Sequence, residues 1–94
     1  MTLSELTTQL ATHQGLSKAA ASEHLRALVE ILRETLADGE TLKLPGLGSF
    51  SLATIAARSG TVAGRPYHSE ARPTVRFRPA ASLVERIAER QAQR

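Results

Sequence analysis

The eight residues Arg72-Pro73-Thr74-Val75-Arg76-Phe77-Arg78-Pro79 alternate strictly between two chemistries. Successive side chains of an extended strand point to opposite faces. Arg72, Thr74, Arg76 and Arg78 therefore share one face, and Pro73, Val75, Phe77 and Pro79 share the other. A sheet built on this strand has one face on a core and one face that is positive. Proline has no N–H to give to a ladder, so Pro73 places the strand at an edge or at a bulge.

Upstream, the pattern changes to a helical period. Leu3, Leu6 and Leu10 lie at near-helical spacing, with Thr2 or Ser4 able to cap the start and Gln14-Gly15 to stop it. Ser17 reads as the next N-cap. From Lys18 to Ala37 the residues Leu25, Leu28, Val29, Leu32 and Leu36 form one apolar stripe. Glu23, Arg26, Glu30, Arg33 and Glu34 mostly take the other side, which makes a strongly amphipathic helix ended by Asp38-Gly39.

Between the helices and the arginine strand the spacing predicts two further strands. Thr41 to Leu44 is a short one, Pro45-Gly46-Leu47-Gly48 a turn, and Ser49 to about Ala57 a longer one. In the longer strand Phe50, Leu52 and Thr54 share a face, and Ser51, Ala53 and Ile55 share the other. The stretch Ser59 to Pro66 is small, contains glycine and is poor in core residues, so it is expected to be exposed and mobile. Ser82 is expected to cap a closing helix that carries Leu83, Val84, Ile87 and Ala88 inward and Arg86, Arg90 and Arg94 outward.

The order is helix, helix, strand, strand, exposed arm, strand, helix, in a single 94-residue α+β domain. A chain this small buries a modest share of its surface. Its large apolar residues are too few to wrap two helices and a three-stranded sheet. The stripe containing Leu32 and Leu36, together with Phe50 and Phe77, needs an opposite surface. A symmetric dimer supplies one most simply.

Charge is distributed unevenly. Residues 1–50 carry four Lys and Arg against six acids, whereas residues 51–79 carry five arginines against Glu70 alone. The excess is concentrated where the sheet and arm are expected, as a polyanion-binding surface requires. The absence of cysteine excludes disulfides, thiol catalysis and cysteine-ligated zinc, and fits a reducing cytoplasm. The first residues lack the basic and apolar regions of a secretory signal, and no apolar run approaches the roughly 20 residues of a membrane span. His13, His24 and His68 have no metal-ligand spacing, and nothing sets a nucleophile beside a base. No metal, cofactor or enzyme chemistry is expected.

The sequence resembles the HU and integration host factor family. Leu44-Pro45-Gly46-Leu47-Gly48-Ser49-Phe50 is similar to the family's glycine-x-glycine-x-phenylalanine turn between its first two strands. Arg58-Ser59-Gly60 resembles the arm entry. Ala71 to Pro79, followed by Leu83, resembles the return strand and closing helix, especially of integration host factor subunits. The resemblance runs nearly end to end. It implies an intertwined dimer with a helical base (1–39), a β-saddle (40–79) whose β-ribbon arm spans about 57–73, and a C-terminal helix (80–94). The arms of such proteins reach around duplex DNA along its minor groove. Carried over residue by residue, Leu47, Phe50 and Phe77 interdigitate across the two-fold axis, with leucine at 47 where phenylalanine is common. Lys18 and Lys43 stand where family members tend to hold phosphate-binding lysines.

The departures also have consequences. The family usually carries arginine-asparagine-proline near the arm tip, where the proline wedges between base pairs. Here the stretch from Gly60 to Phe77 is about two residues shorter and has no Asn-Pro. Thr61-Val62-Ala63 occupies the region, with Val62 as a candidate apolar substitute and Pro66 beyond the tip glycine, Gly64. The expected function is largely sequence-independent binding of duplex DNA in the nucleoid through Lys18, Lys43, Arg58, Arg65, Arg72, Arg76 and Arg78. Bending or wrapping is expected to be weakened by the missing wedge. The dimer is expected to form with a second copy or a paralogue. Two other readings stay open: a protein-interaction or structural module with an arm that no longer grips DNA, and an RNA binder using the same ribbon.

Overall fold

The computed structural model describes Met1 to Arg94. The chain divides into two compact units, Met1–Glu34 and Thr35–Arg94.

The first unit contains helix α1 (Leu3–Gln14) and most of helix α2 (Lys18–Ala37). Thr2 is the cap of α1: its Oγ1 accepts from the Glu5 N–H at 3.2 Å. Gly15 closes that helix, with its N–H on the Ala11 carbonyl. The Ser17 Oγ accepts from the Ala20 N–H at 3.1 Å and starts α2, as the sequence leads one to expect. Ala11 and Ala21 are the buried residues of the unit. Leu28, Val29 and Ile31 of α2 are 51%, 43% and 61% exposed.

The second unit begins with the last turn of α2, which ends in paired bonds from Gly39 N–H to the Leu36 carbonyl and from Glu40 N–H to the Thr35 carbonyl. Strands β1 (Leu42–Leu44), β2 (Gly48–Ile55) and β5 (Arg72–Pro79) form an antiparallel sheet in the order β1-β2-β5. Pro73 lies opposite Thr54 in an unbroken register on an edge strand, so the edge alternative holds and no bulge is needed. Phe50 and Phe77 face each other across the ladder with ring centroids 4.7 Å apart and planes tilted by 39°. The Phe77 ring also covers Gly48.

Beside the three-stranded sheet stands a separate two-stranded ribbon, as the family resemblance implies. The segment that the residue pattern leaves as an exposed arm, and that the family resemblance makes a β-ribbon, is a hairpin, β3 (Arg58–Val62) paired with β4 (Arg65–Ser69). The two-residue turn Ala63-Gly64 has φ of 53° and 77°, the left-handed pair that matches the twist of two strands. Residues exposed on both faces carry no apolar alternation, which is why the residue pattern alone does not mark these two strands. The closing helix, α3 (Ala81–Ala92), begins earlier than expected. Its N-cap is Ala80, which makes no side-chain bond, and not Ser82. The Ala80 N–H is held instead by the Leu47 carbonyl at 3.0 Å, so the β1–β2 turn positions the helix start.

Candidate nucleic-acid interface

Residues opposite each other in an antiparallel ladder point to the same face. The register sets Lys43 opposite Ser49, Ser49 opposite Arg78, Ser51 opposite Arg76, Ala53 opposite Thr74 and Ile55 opposite Arg72. One face of the sheet therefore collects Lys43, Arg72, Arg76 and Arg78. The other collects Leu42, Phe50, Leu52, Val75 and Phe77. The cations sit on the two outer strands, β1 and β5, while the central strand offers only Ser49, Ser51 and Ala53 between them until Ile55. Lys43 and Arg78, two strands apart, are separated by about 10 Å at the backbone, Arg76 and Arg78 by about 7 Å, and Arg72 and Arg76, with Thr74 between them, by about 13 Å. No acid occurs in any of the three strands, so nothing on them offsets this charge. Small side chains flanked by cations leave a trough that the backbone of a polyanion can approach closely.

In the arm the pairings Arg58–Ser69, Gly60–Tyr67 and Val62–Arg65 put Arg58, Val62, Arg65 and Tyr67 on one face. Ser59, Thr61, Pro66 and His68 take the other. The ladder lapses at Ala56-Ala57 and Glu70-Ala71, where the ribbon meets the sheet. At that joint Ile55 and Arg72 of the sheet's cationic face line one concave groove of about 490 Å³ with Arg58, Tyr67 and Ser69 of the arm. Strict alternation through the joint would have put Arg58 on the side away from Arg72. The local turn of the ribbon brings the two positive faces into one groove instead.

Six of the sequence-derived cations thus fall into two sets in the second unit: Lys43, Arg72, Arg76 and Arg78 on the sheet, Arg58 and Arg65 on the arm. Lys18 is not among them. It opens α2 in the first unit and lines a groove there with Arg26, Ser4, Thr7 and Ser22. Of the apolar set, Leu32, Leu36 and Phe50 are half-buried, whereas Leu47 and Phe77 are 43% and 41% exposed. Pro66 is paired with Thr61 inside the ladder, one pair below the tip, and Val62 is 64% exposed beside the turn. The histidines form no metal-binding cluster, and His68 Nε2 lies 2.9 Å from Glu70 Oε1. Tyr67 was missed by the sequence reading. Its partnership with Gly60 emerges only once the turn is known to fall at Ala63-Gly64.

The family model described as bacterial DNA-binding protein matches residues 1–88. The chain is 36% identical over 89 residues to integration host factor subunit alpha of Stenotrophomonas maltophilia, covering 93% of this chain and 90% of that protein. It is also 36% identical over 89 residues to DNA-binding protein HU-beta 2 of Neisseria meningitidis, covering 93% and 98%. Among solved structures, an Anabaena HU–DNA cocrystal structure superposes with a TM-score of 0.86 at 26% identity, covering 94% of this chain and 98% of that one. With the helix order, the three-stranded sheet and the paired arm in place, the chain belongs to the bacterial DNA-binding protein family of HU and integration host factor.

Proposed function

We propose that this protein binds duplex DNA of the nucleoid as a symmetric dimer, through the cationic sheet face and the arms, with little regard to base sequence. The observation that carries the reading is the register that gathers Lys43, Arg72, Arg76 and Arg78 on one acid-free face around small central side chains. Guanidinium and ammonium groups so placed neutralise phosphates and release counterions. Phosphate contacts position a protein on DNA without reading bases. Arg58 and Arg65 extend the same contacts along the arm.

The dimer follows from what the chain leaves uncovered. No large side chain is fully buried, and Leu47, Leu52, Val75 and Phe77 on the second unit stay 41–53% exposed. A second copy covers such surface at roughly 25 cal/mol for each Å² removed from water. Sedimentation at micromolar concentration is expected to give twice the 10.1 kDa chain mass. A monomer that is folded and stable would remove this part of the reading.

The central test is binding to a short duplex labelled at both ends, followed by anisotropy and by end-to-end energy transfer across a salt series. Log affinity is expected to fall linearly with log salt with a slope of roughly −5 to −10, from several phosphates neutralised per dimer. The end-to-end distance is expected to shorten less than with a wedge-bearing relative, because the tip carries Val62-Ala63-Gly64 and Pro66 is engaged in the ladder. A folded dimer that does not bind at low salt would put an interaction module in place of the DNA binder. A kink as sharp as the relative's would show that another residue inserts.

A further inference from the structure

The chain has three aromatic residues, two phenylalanines and one tyrosine. Phe50 and Phe77 pack against each other in the sheet. Tyr67 alone stands on the arm, directly opposite Gly60. Its ring lies down over that glycine: a Cβ built at residue 60 would meet Tyr67 Cε1 at 2.9 Å and the phenol oxygen at 3.1 Å. An aromatic ring laid across a facing glycine restores the packing that a strand loses where it has no side chain. The ring is thereby held against the ribbon. It is nevertheless 44% exposed, so part of its surface remains open to a ligand.

Its surroundings say what the ligand is. Arg58 and Arg65 share its face of the ribbon, and Arg72 shares the groove at the arm root. The acid lining that groove, Glu70, has its Oε1 at His68 Nε2, 2.9 Å away. The opposite face of the ribbon carries Ser59, Thr61, Pro66 and His68, with no arginine. The arm is thus two-sided, and its apolar ring lies on the side where the cations are. A ligand that is anionic at its edges and apolar between them fits such a face, which is the description of a sugar–phosphate backbone and the groove it borders.

We propose that Tyr67 is a DNA-contacting residue, whose ring packs against deoxyribose edges while Arg58 and Arg65 take the flanking phosphates. The proposal rests on the duplex-binding reading above and assigns it a contact that is not electrostatic. Removing it should lower affinity without changing the number of counterions released.

The chain supplies its own probe. With one tyrosine and no tryptophan, intrinsic emission reports on Tyr67 alone. Acrylamide quenching of the native protein is expected to drop about twofold or more when a short duplex is added to saturation, with saturation fixed independently by anisotropy of the labelled duplex. Tyr67→Ala should weaken binding roughly tenfold, and Tyr67→Phe should stay within about twofold. Both should keep the salt slope of the parent, since neither removes a cation. A duplex that binds while Tyr67 stays as quenchable as in the free protein overturns the assignment and leaves the duplex reading standing. Shielding that grows with protein concentration in the absence of DNA overturns it by giving the ring to a second copy. No binding at all overturns both. The quenching arm uses the unaltered protein, so an arm loosened by Tyr67→Ala cannot imitate a positive result.

Discussion

Replacing Arg72 and Arg76 together with alanine is expected to reduce duplex affinity by roughly two to three orders of magnitude near 0.1 M salt. The same change should make the salt slope shallower by about 3 to 4. A dimer carries each residue twice, so four guanidinium groups are lost, and each neutralised phosphate contributes about 0.9 to the slope. Both side chains are exposed on the outer face of an edge strand, opposite Ile55 and Ser51. Exposed substitutions of this kind usually change stability by no more than about 0.5 kcal/mol. The variant should therefore unfold like the parent and bind far worse. Anisotropy over a salt series, beside thermal unfolding of the same preparation, separates the two quantities. An unaltered slope would mean that the sheet face is a solvated surface and that the DNA contacts lie elsewhere.

The largest effect on stability is expected at Gly48, where β2 begins. Its φ of 149° lies in a region where side chains are strained, and two neighbours leave no room for one. An added Cβ would sit 2.4 Å from the Arg78 carbonyl oxygen and 2.8 Å from Phe77 Cε1. Neither can yield cheaply. The carbonyl belongs to the β5 backbone, and the ring is packed against Phe50. Gly48→Ala should cost about 3 kcal/mol or more, from backbone strain and overpacking together. For a domain of this size that lowers the melting temperature by roughly 15 °C. Gly46 is the control in the same turn: its φ is 81°, but a Cβ there meets nothing within 4 Å. Gly46→Ala should therefore cost only the backbone term, on the order of 1 kcal/mol. Equal melting temperatures for the two variants would show that the Phe77 contact does not constrain the turn.

These two positions illustrate what was legible before the structure. The turn of Gly46 and Gly48 and the arginine alternation of β5 are local patterns, and so are the caps of α1 and α2. Each follows from residues within a few positions of one another. Lys43 is different. Nothing in Leu42-Lys43-Leu44 says that its side chain shares a face with Arg78, because that depends on the register of β1 on β2 and of β2 on β5. The strands of the arm were opaque to the residue pattern for a related reason, and only the family resemblance pointed to a ribbon there. Both its faces are exposed, so no hydrophobic alternation marks its strands, and Ala63 occupies a turn position usually filled by Asn, Asp or Gly. Tyr67 fell out of sight with it, as a lone aromatic has no period. Ser82 was a wrong cap because tertiary structure intervened: the Leu47 carbonyl holds the Ala80 N–H and starts the helix two residues earlier than the serine suggests.

The paired hairpin has a consequence for how the reach of the arm can vary. Its five pairs, Arg58–Ser69 to Val62–Arg65, span about 17 Å at the usual rise per residue, close to half of one turn of B-form DNA. A single inserted residue would turn one strand over and send either Arg58 or Arg65 to the side away from Tyr67. Length can change without scrambling that side only by adding or removing residues two at a time on both strands together. An arm built this way is calibrated: its reach changes in discrete steps, and the face it presents is kept through each of them.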